Sequence, residues 1–304
     1  MDLKIVATVV GLLIFGIVGI SSYAAYKLTH PSRETIDSTP EIVGLNFQDV
    51  SFQSEKDNTT LTGWWISAQN ANGLTTPSNK TVIFVHGYGS SRLGKSAQVM
   101  PLALRLAHEG YNVLMFDLRG AGNSNGKVVT LGQNEQYDVL AAIDFIKIQK
   151  YSTSIALLGW SMGAVTSIMS GTESPDVQAI IADSPFADLR SYLNNNFRYW
   201  SGLPGYPFTP IMFAVASILF KLQPGKVSPI HSILNLDNRG LLLIHSCEDI
   251  IIPCQNSQQI YDAVPDKSHT ELWLTEHSEH VKSYIEYSSL YEIKVLGFLD
   301  KYLK

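Results

Sequence analysis

Two kinds of apolar run alternate along most of the chain. Short ones, at 81–85 (TVIFV), 112–116 (NVLMF), 155–158 (IALL), 178–182 (QAIIA), 240–245 (GLLLIH) and 271–275 (ELWLT), are too brief for helices and predict strands. Longer amphipathic segments separate them and predict helices over 95–109, 133–150, 162–172, 254–263 and 286–303. The last carries Ile293, Val295, Leu296, Phe298, Leu299 and Leu303 on helical spacing. Two further strands, 47–53 and 60–67, flank Lys56-Asp57-Asn58, which is turn material, and predict an antiparallel hairpin. Strands alternating with crossover helices specify an α/β fold: a mostly parallel eight-stranded sheet with helices on both faces.

Two stretches break the alternation. Between Lys4 and Lys27 lie 22 residues without a charge, IVATVVGLLIFGIVGISSYAAY, which as a helix would be about 33 Å long against a hydrocarbon core of about 30 Å. Ser22-Tyr23-Ala24 offers small residues at the spacing of a signal-peptide cleavage site. The weak n-region, with Lys4 offset by Asp2, and the length of the run favour an uncleaved anchor over 1–27. Charges on the two sides nearly balance, so an extracytoplasmic placement of the rest is a lean only. Residues 28–45, with Pro31 and Pro40 among small polar residues, read as a linker, and 46–304 as one globular domain. The second break, 186–230, holds Tyr192, Phe197, Tyr199, Trp200, Tyr206, Phe208 and Phe213, interrupted by Pro204, Pro207, Pro210 and Pro224, and reads as an insertion into that domain.

Composition narrows the class. The 304 residues carry 22 Lys+Arg against 27 Asp+Glu, a formal charge of −5, which argues against a nucleic-acid partner. Charged residues make up 16% of the chain, below the roughly 25% of an average soluble protein, and the apolar excess sits partly in 5–26. Cys247 and Cys254 form no disulfide framework, and a pair of buried, unbridged thiols is expected.

The chemistry begins at Gly159-Trp160-Ser161-Met162-Gly163, which follows one predicted strand and opens a predicted helix. That context makes it a nucleophile elbow, in which a sharp turn lifts the serine hydroxyl above the sheet edge. A serine needs a base to take its proton and an acid to hold that base. Asp249 follows the strand GLLLIH and His280 follows the last strand, both at carboxyl strand ends, in the chain order Ser, acid, His. His277 is a rival base, and Glu248 and Asp183 are rival acids. His277 and His280 also read as H-x-x-H, but no third metal ligand accompanies them. His231 and His245 read as satisfied or core histidines.

These residues resemble the α/β-hydrolases, and among them the membrane-anchored bacterial serine hydrolases of the serine-aminopeptidase-like and acyl-ester hydrolase group. The resemblance runs from about Val50 to the C-terminus. It rests on Phe84-Val85-His86-Gly87-Tyr88-Gly89, Asp117 to Ser124, Gly132 with Glu135 and Asp138, Asp183-Ser184-Pro185, Asp249 before Pro253, and His280 before Ser283-Tyr284, in the family's order. It favours His280 over His277 and Asp249 over its rivals. It implies an oxyanion hole made by the backbone N–H groups of Tyr88 and Met162, with His86 bracing the loop. By the same resemblance the 186–230 insertion is a small helical cap, and the expectation is a membrane-tethered serine hydrolase of carboxylic or acyl esters, taking a small-molecule or lipid-like acyl substrate into a pocket lined by the cap aromatics and needing no cofactor. A peptidase or acyltransferase on the same residues, and a non-catalytic membrane-bound interaction module, stand as alternatives.

Overall fold

A computed structural model describes residues 2–304 other than Glu55 and Lys150. Met1, at the start of the expected anchor, and Lys150, at the end of the expected helix 133–150, lie outside the described residues. All eight predicted strands form: β1 (Gln48–Ser54), β2 (Thr59–Ile66), β3 (Lys80–Val85), β4 (Asn112–Phe116), β5 (Ser154–Trp160), β6 (Val177–Asp183), β7 (Gly240–Ser246) and β8 (Thr270–Thr275). They join one sheet in the order β1-β2-β4-β3-β5-β6-β7-β8. The sheet is mixed: β1 and β2 pair as the expected hairpin, β2 runs antiparallel to β4, and every other pairing is parallel.

The inner strands are buried along their whole length, which is why β5 and β7 read as unbroken apolar runs. Each face of the sheet carries its own apolar layer. Leu102 and Leu106 of α2 (Val99–His108) join Phe298 and Leu299 in one. Val139 and Ile143 of α3 (Glu135–Ile148) join Val165 and Ile168 of α4 (Met162–Glu173) in the other.

The 186–230 insertion folds into α5 (Leu189–Ser201) and α6 (Gly205–Phe220), which meet at a bend of 116°. The Asp188 carboxylate caps α5 by accepting from the Ser191 amide at 2.8 Å, and Gly202 ends it in the left-handed conformation. Beyond a short helical turn, α7 (Pro229–Ser232), the chain returns through β7 to α8 (Gln255–Ala263). The C-terminal helix expected over 286–303 is broken at Tyr287 into α9 (Ser283–Glu286) and α10 (Ser288–Tyr302).

The apolar N-terminal run forms one helix, α1 (Leu3–Thr29), long and apolar enough to cross a membrane, with none of its most apolar stretch buried. Its last turns lie along α6. Ser21 Oγ donates to Phe208 O at 3.3 Å near the start of α6, and His30 packs its ring 5.2 Å from Phe220 at the end. The two helices therefore run side by side in the same direction.

Candidate active site

The turn between β5 and α4 presents the candidate nucleophile, Ser161. Ser161 has φ 56° and ψ −120°, a conformation that L residues rarely adopt and that the surrounding structure must hold. Its amide donates to Asp183 O of the neighbouring strand at 2.8 Å. Close packing behind it explains one glycine of the motif, because a Cβ on Gly163 would lie 2.0 Å from Val85 O. Met162 opens α4, so its N–H is among those that have no intrahelical acceptor.

Three side chains from three loops meet at this turn. His280, in the loop after β8, places Nε2 2.9 Å from Ser161 Oγ and Nδ1 2.6 Å from Asp249 Oδ2. With the carboxylate holding the Nδ1 proton, Nε2 is left to accept the serine proton. Asp249 sits in the loop after β7, where its other oxygen accepts the Ile251 and Ile252 amides, each at 2.9 Å. Burial pushes this carboxyl up, but hydrogen bonds from His245 and His280, the His280 charge and the Ile252 amide together hold it well below the usual carboxylate range. Asp249 is therefore ionised and oriented.

The rivals occupy other places. His277 is mostly exposed and pairs with Glu248 at 2.9 Å, on the outside of the same loop. Asp183 is fully buried, accepts the Ser184 hydroxyl at 2.8 Å and the Tyr291 hydroxyl at 3.0 Å, and is pushed up to about 6, with burial the largest cause. His245 is buried as expected, with its ring held by Ser257 Oγ and Ile252 O, each at 2.7 Å. Its place beside Asp249, 3.3 Å away, went unread in the sequence. The signal was present in the four-residue spacing from the end of β7 to the acid. Among the described residues no group of three potential metal ligands gathers. Cys247 and Cys254 are free thiols with sulfurs 3.2 Å apart, but only Cys254 is buried; Cys247, in the loop after β7, is exposed, against the expectation for both.

The segment after β3 runs beside the nucleophile. A Cβ on Gly87 would stand 3.2 Å from Trp160 O and 3.4 Å from Ser161 Cβ, so this backbone, and with it the Tyr88 peptide, closes directly on the turn. His86 is a brace: Nδ1 donates to Gly87 O at 2.8 Å, Nε2 accepts the Leu118 amide at 3.0 Å, and burial lowers its pKa and keeps it neutral. Asp117 accepts from the Arg92 amide at 2.7 Å, its guanidinium at 2.8 Å and the Asn123 amide at 2.8 Å, a buried pairing that ties the two loops together.

A recess of about 240 Å³ opens here, lined by His86, Gly87 and Met162 together with Pro31 and Ser32. The cap aromatics expected to line an acyl pocket take no part in it. Phe186 stacks on Tyr192, Phe197 joins the core, Phe208 and Phe213 pack against it, and Tyr199, Trp200 and Tyr206 face outward. The cap's buried apolar side chains are occupied by packing onto the core and onto α1.

The sheet, the elbow and the histidine loop define a hydrolase of the serine type. Comparison with known proteins agrees and gives its lineage: the chain belongs to the α/β-hydrolase superfamily. The family model described as serine aminopeptidase, S33, matches residues 76–226. The chain is 29% identical to an uncharacterized Bacillus subtilis (strain 168) protein, YqkD, over 98% of both. It is 26% identical to a Bos taurus lysophosphatidylserine lipase, over 75% of this chain and 60% of that protein. The Pyrococcus furiosus esterase Pf2001 superimposes with a TM-score of 0.75 and 29% identity, covering 92% of this chain and 100% of that one.

Proposed function

We propose that the protein is a membrane-anchored serine hydrolase that cleaves carboxylic or acyl esters of a small-molecule or lipid-like substrate through an acyl-enzyme. The observation that carries this reading is the continuous chain from Ser161 to His280 to Asp249, at 2.9 and 2.6 Å. As Ser161 Oγ attacks the acyl carbonyl, His280 Nε2 takes its proton, and Asp249 stabilises the imidazolium. The oxyanion receives the Met162 and Tyr88 amides. His280 returns the proton to the leaving alcohol; water, deprotonated by the same imidazole, then attacks the acyl-enzyme and releases the acid and Ser161.

Ester substrates are favoured by the likeness to an esterase and to a lipase. Membrane anchoring by a single pass is favoured by α1, whose exposed Leu12, Leu13 and Phe15 would otherwise face water. Beside it, the exposed Tyr206, Ile218 and Leu219 of α6 continue that apolar surface.

The test is hydrolysis of p-nitrophenyl esters of graded chain length beside aminoacyl amides, with fluorophosphonate labelling of wild type and Ser161→Ala. Ester turnover with Ser161-dependent labelling is expected. Turnover of amides alone would replace the ester reading with a peptidase, and labelling that survives Ser161→Ala would remove the nucleophile.

A further inference from the structure

The segment that joins α1 to the sheet, expected to be a free spacer, is laid against the site. Beyond the end of α1 it has no regular structure up to Pro40, and its side chains are engaged with two loops. Arg33 donates from Nη1 to Ser124 O at 2.7 Å and Gly122 O at 3.3 Å, and from Nη2 to Gly126 O. Glu34 Oε2 accepts the Ser91 hydroxyl at 2.6 Å and the Ser90 hydroxyl at 3.3 Å. Asp37 pairs with Lys95 at 2.6 Å, and the Val129 amide donates to Thr29 O at 2.8 Å. From the other side, the Tyr88 hydroxyl reaches Leu28 O at 3.0 Å and Lys27 O at 3.2 Å, carbonyls in the last turn of α1 that lack helical partners.

We propose that residues 27–37 form a strap that positions the Tyr88 amide for the oxyanion. The inference rests on the oxyanion reading above. The chain at the Tyr88 amide is Gly87-Tyr88-Gly89-Ser90-Ser91, whose glycines leave the backbone many conformations. Its neighbours are fixed elsewhere, His86 by Leu118 and Arg92 by Asp117. Between those two points the Tyr88, Ser90 and Ser91 hydroxyls donate to the strap. The loop's own bonds include two long ones, from the Ser90 amide to Gly87 O and from the Leu93 amide to Ser91 Oγ, each at 3.3 Å. Without the strap, such local bonds and the flanking glycines are left to hold the donor.

Pro31 and Ser32 line one narrow recess with Gly87, Gly89 and Met162, and a Cβ on Gly89 would stand 3.9 Å from Pro31 Cβ, so the strap lies against the backbone that carries the proposed donor. Arg33 spans three carbonyls of the loop 122–126 in a fork that a lysine ammonium cannot reproduce.

Full-length wild type, Tyr88→Phe, Glu34→Ala, Arg33→Ala and Arg33→Lys, in detergent, test this. The readouts are kcat and KM on p-nitrophenyl butyrate, Ki of a trifluoromethyl ketone whose hydrate anion mimics the tetrahedral intermediate, and Tm. Misplacing an oxyanion donor by a fraction of an ångström to 1 Å predicts a roughly tenfold lower kcat in Tyr88→Phe and Glu34→Ala, with KM within about twofold. Ki should rise in step with the loss of kcat/KM. Arg33→Lys should recover only part of what Arg33→Ala loses. Tyr88→Phe keeps the ring and removes one hydroxyl, so it remains informative if an Arg33 variant fails to fold.

Wild-type kcat and Ki in Tyr88→Phe and Glu34→Ala would overturn the strap while leaving the site reading intact, provided that Ser161→Ala is inactive. A fall in kcat that tracks Tm with Ki unchanged would reduce the strap to a structural brace. Weak ketone binding by wild type would remove the oxyanion reading itself, and the strap with it.

Discussion

The Nε2 atom of His245 lies 3.3 Å from Asp249 Oδ2, the same oxygen that receives His280 Nδ1 at 2.6 Å. The ring is anchored at both nitrogens, by Ser257 Oγ and Ile252 O, so it holds the acid loop from behind. Replacing it leaves buried polar partners unpaired. His245→Gln is therefore expected to lower stability by about 1–3 kcal/mol. It should also cut kcat roughly tenfold through a displaced Asp249, with KM little changed. Urea denaturation and steady-state kinetics on one preparation read both effects, and an unchanged kcat would make His245 a core residue only.

The two histidines of the loop after β8 should separate cleanly. His277 is exposed, and its pairing with Glu248 is a surface ion pair. His277→Ala is expected to keep activity within about twofold, because such pairs contribute little. His280→Ala loses the group between Ser161 and Asp249, with an expected fall in kcat of at least about a thousandfold. The reverse outcome would exchange their roles.

Gly163 is required by contact rather than by chemistry. Adding one methyl group would drive a carbon into Val85 O and His86 O, both backbone atoms at the end of β3. Gly163→Ala should destabilise the fold by about 1–3 kcal/mol and displace the Gly87–Ser161 contact, lowering activity further than stability alone explains. Guanidinium melts with parallel fluorophosphonate labelling rates would show it; a variant with wild-type values would mean that the β3 end gives way freely.

The elbow, the acid loop and the histidine loop were legible because each is short and follows an apolar run whose end marks the edge of the sheet. The inner strands could be read for the same reason, as burial on both faces leaves little but apolar residues in β5 and β7, whereas the more exposed β1 was found with β2 from the turn residues between them. The parts that escaped depend on distant partners. Nothing local in Arg33 or Glu34 announces carbonyls and hydroxyls 56 to 93 positions away, and a polar, proline-containing stretch reads as a spacer. The cap misled in the other direction: its aromatics suggested a substrate pocket, but α1, a helix from the far end of the chain, takes up part of that surface.

Asp183 gives a pH dependence with a definite sign. Its carboxyl titrates near 3.9 in an unfolded chain and at about 6 in the fold, where burial outweighs the Ser184 and Tyr291 hydroxyls. Below about pH 4 both states hold the proton, and the group makes its full contribution to stability. Between about pH 4 and 6 the unfolded chain releases the proton first, so stability falls as pH rises; above that range the loss is constant, on the order of 2–3 kcal/mol. Asp183→Asn cannot titrate and should lack this component, so its stability should decline less than that of wild type from pH 4 to 6. The comparison is one of slopes, which removes the fixed cost of changing a side chain beside Tyr291. Asp138, also pushed up to about 6 with burial as the largest cause, falls in the same window and remains in both proteins, so it cancels. Parallel slopes for the two proteins from urea melts across that range would mean that Asp183 is ionised in the fold, its charge carried by the two hydroxyls.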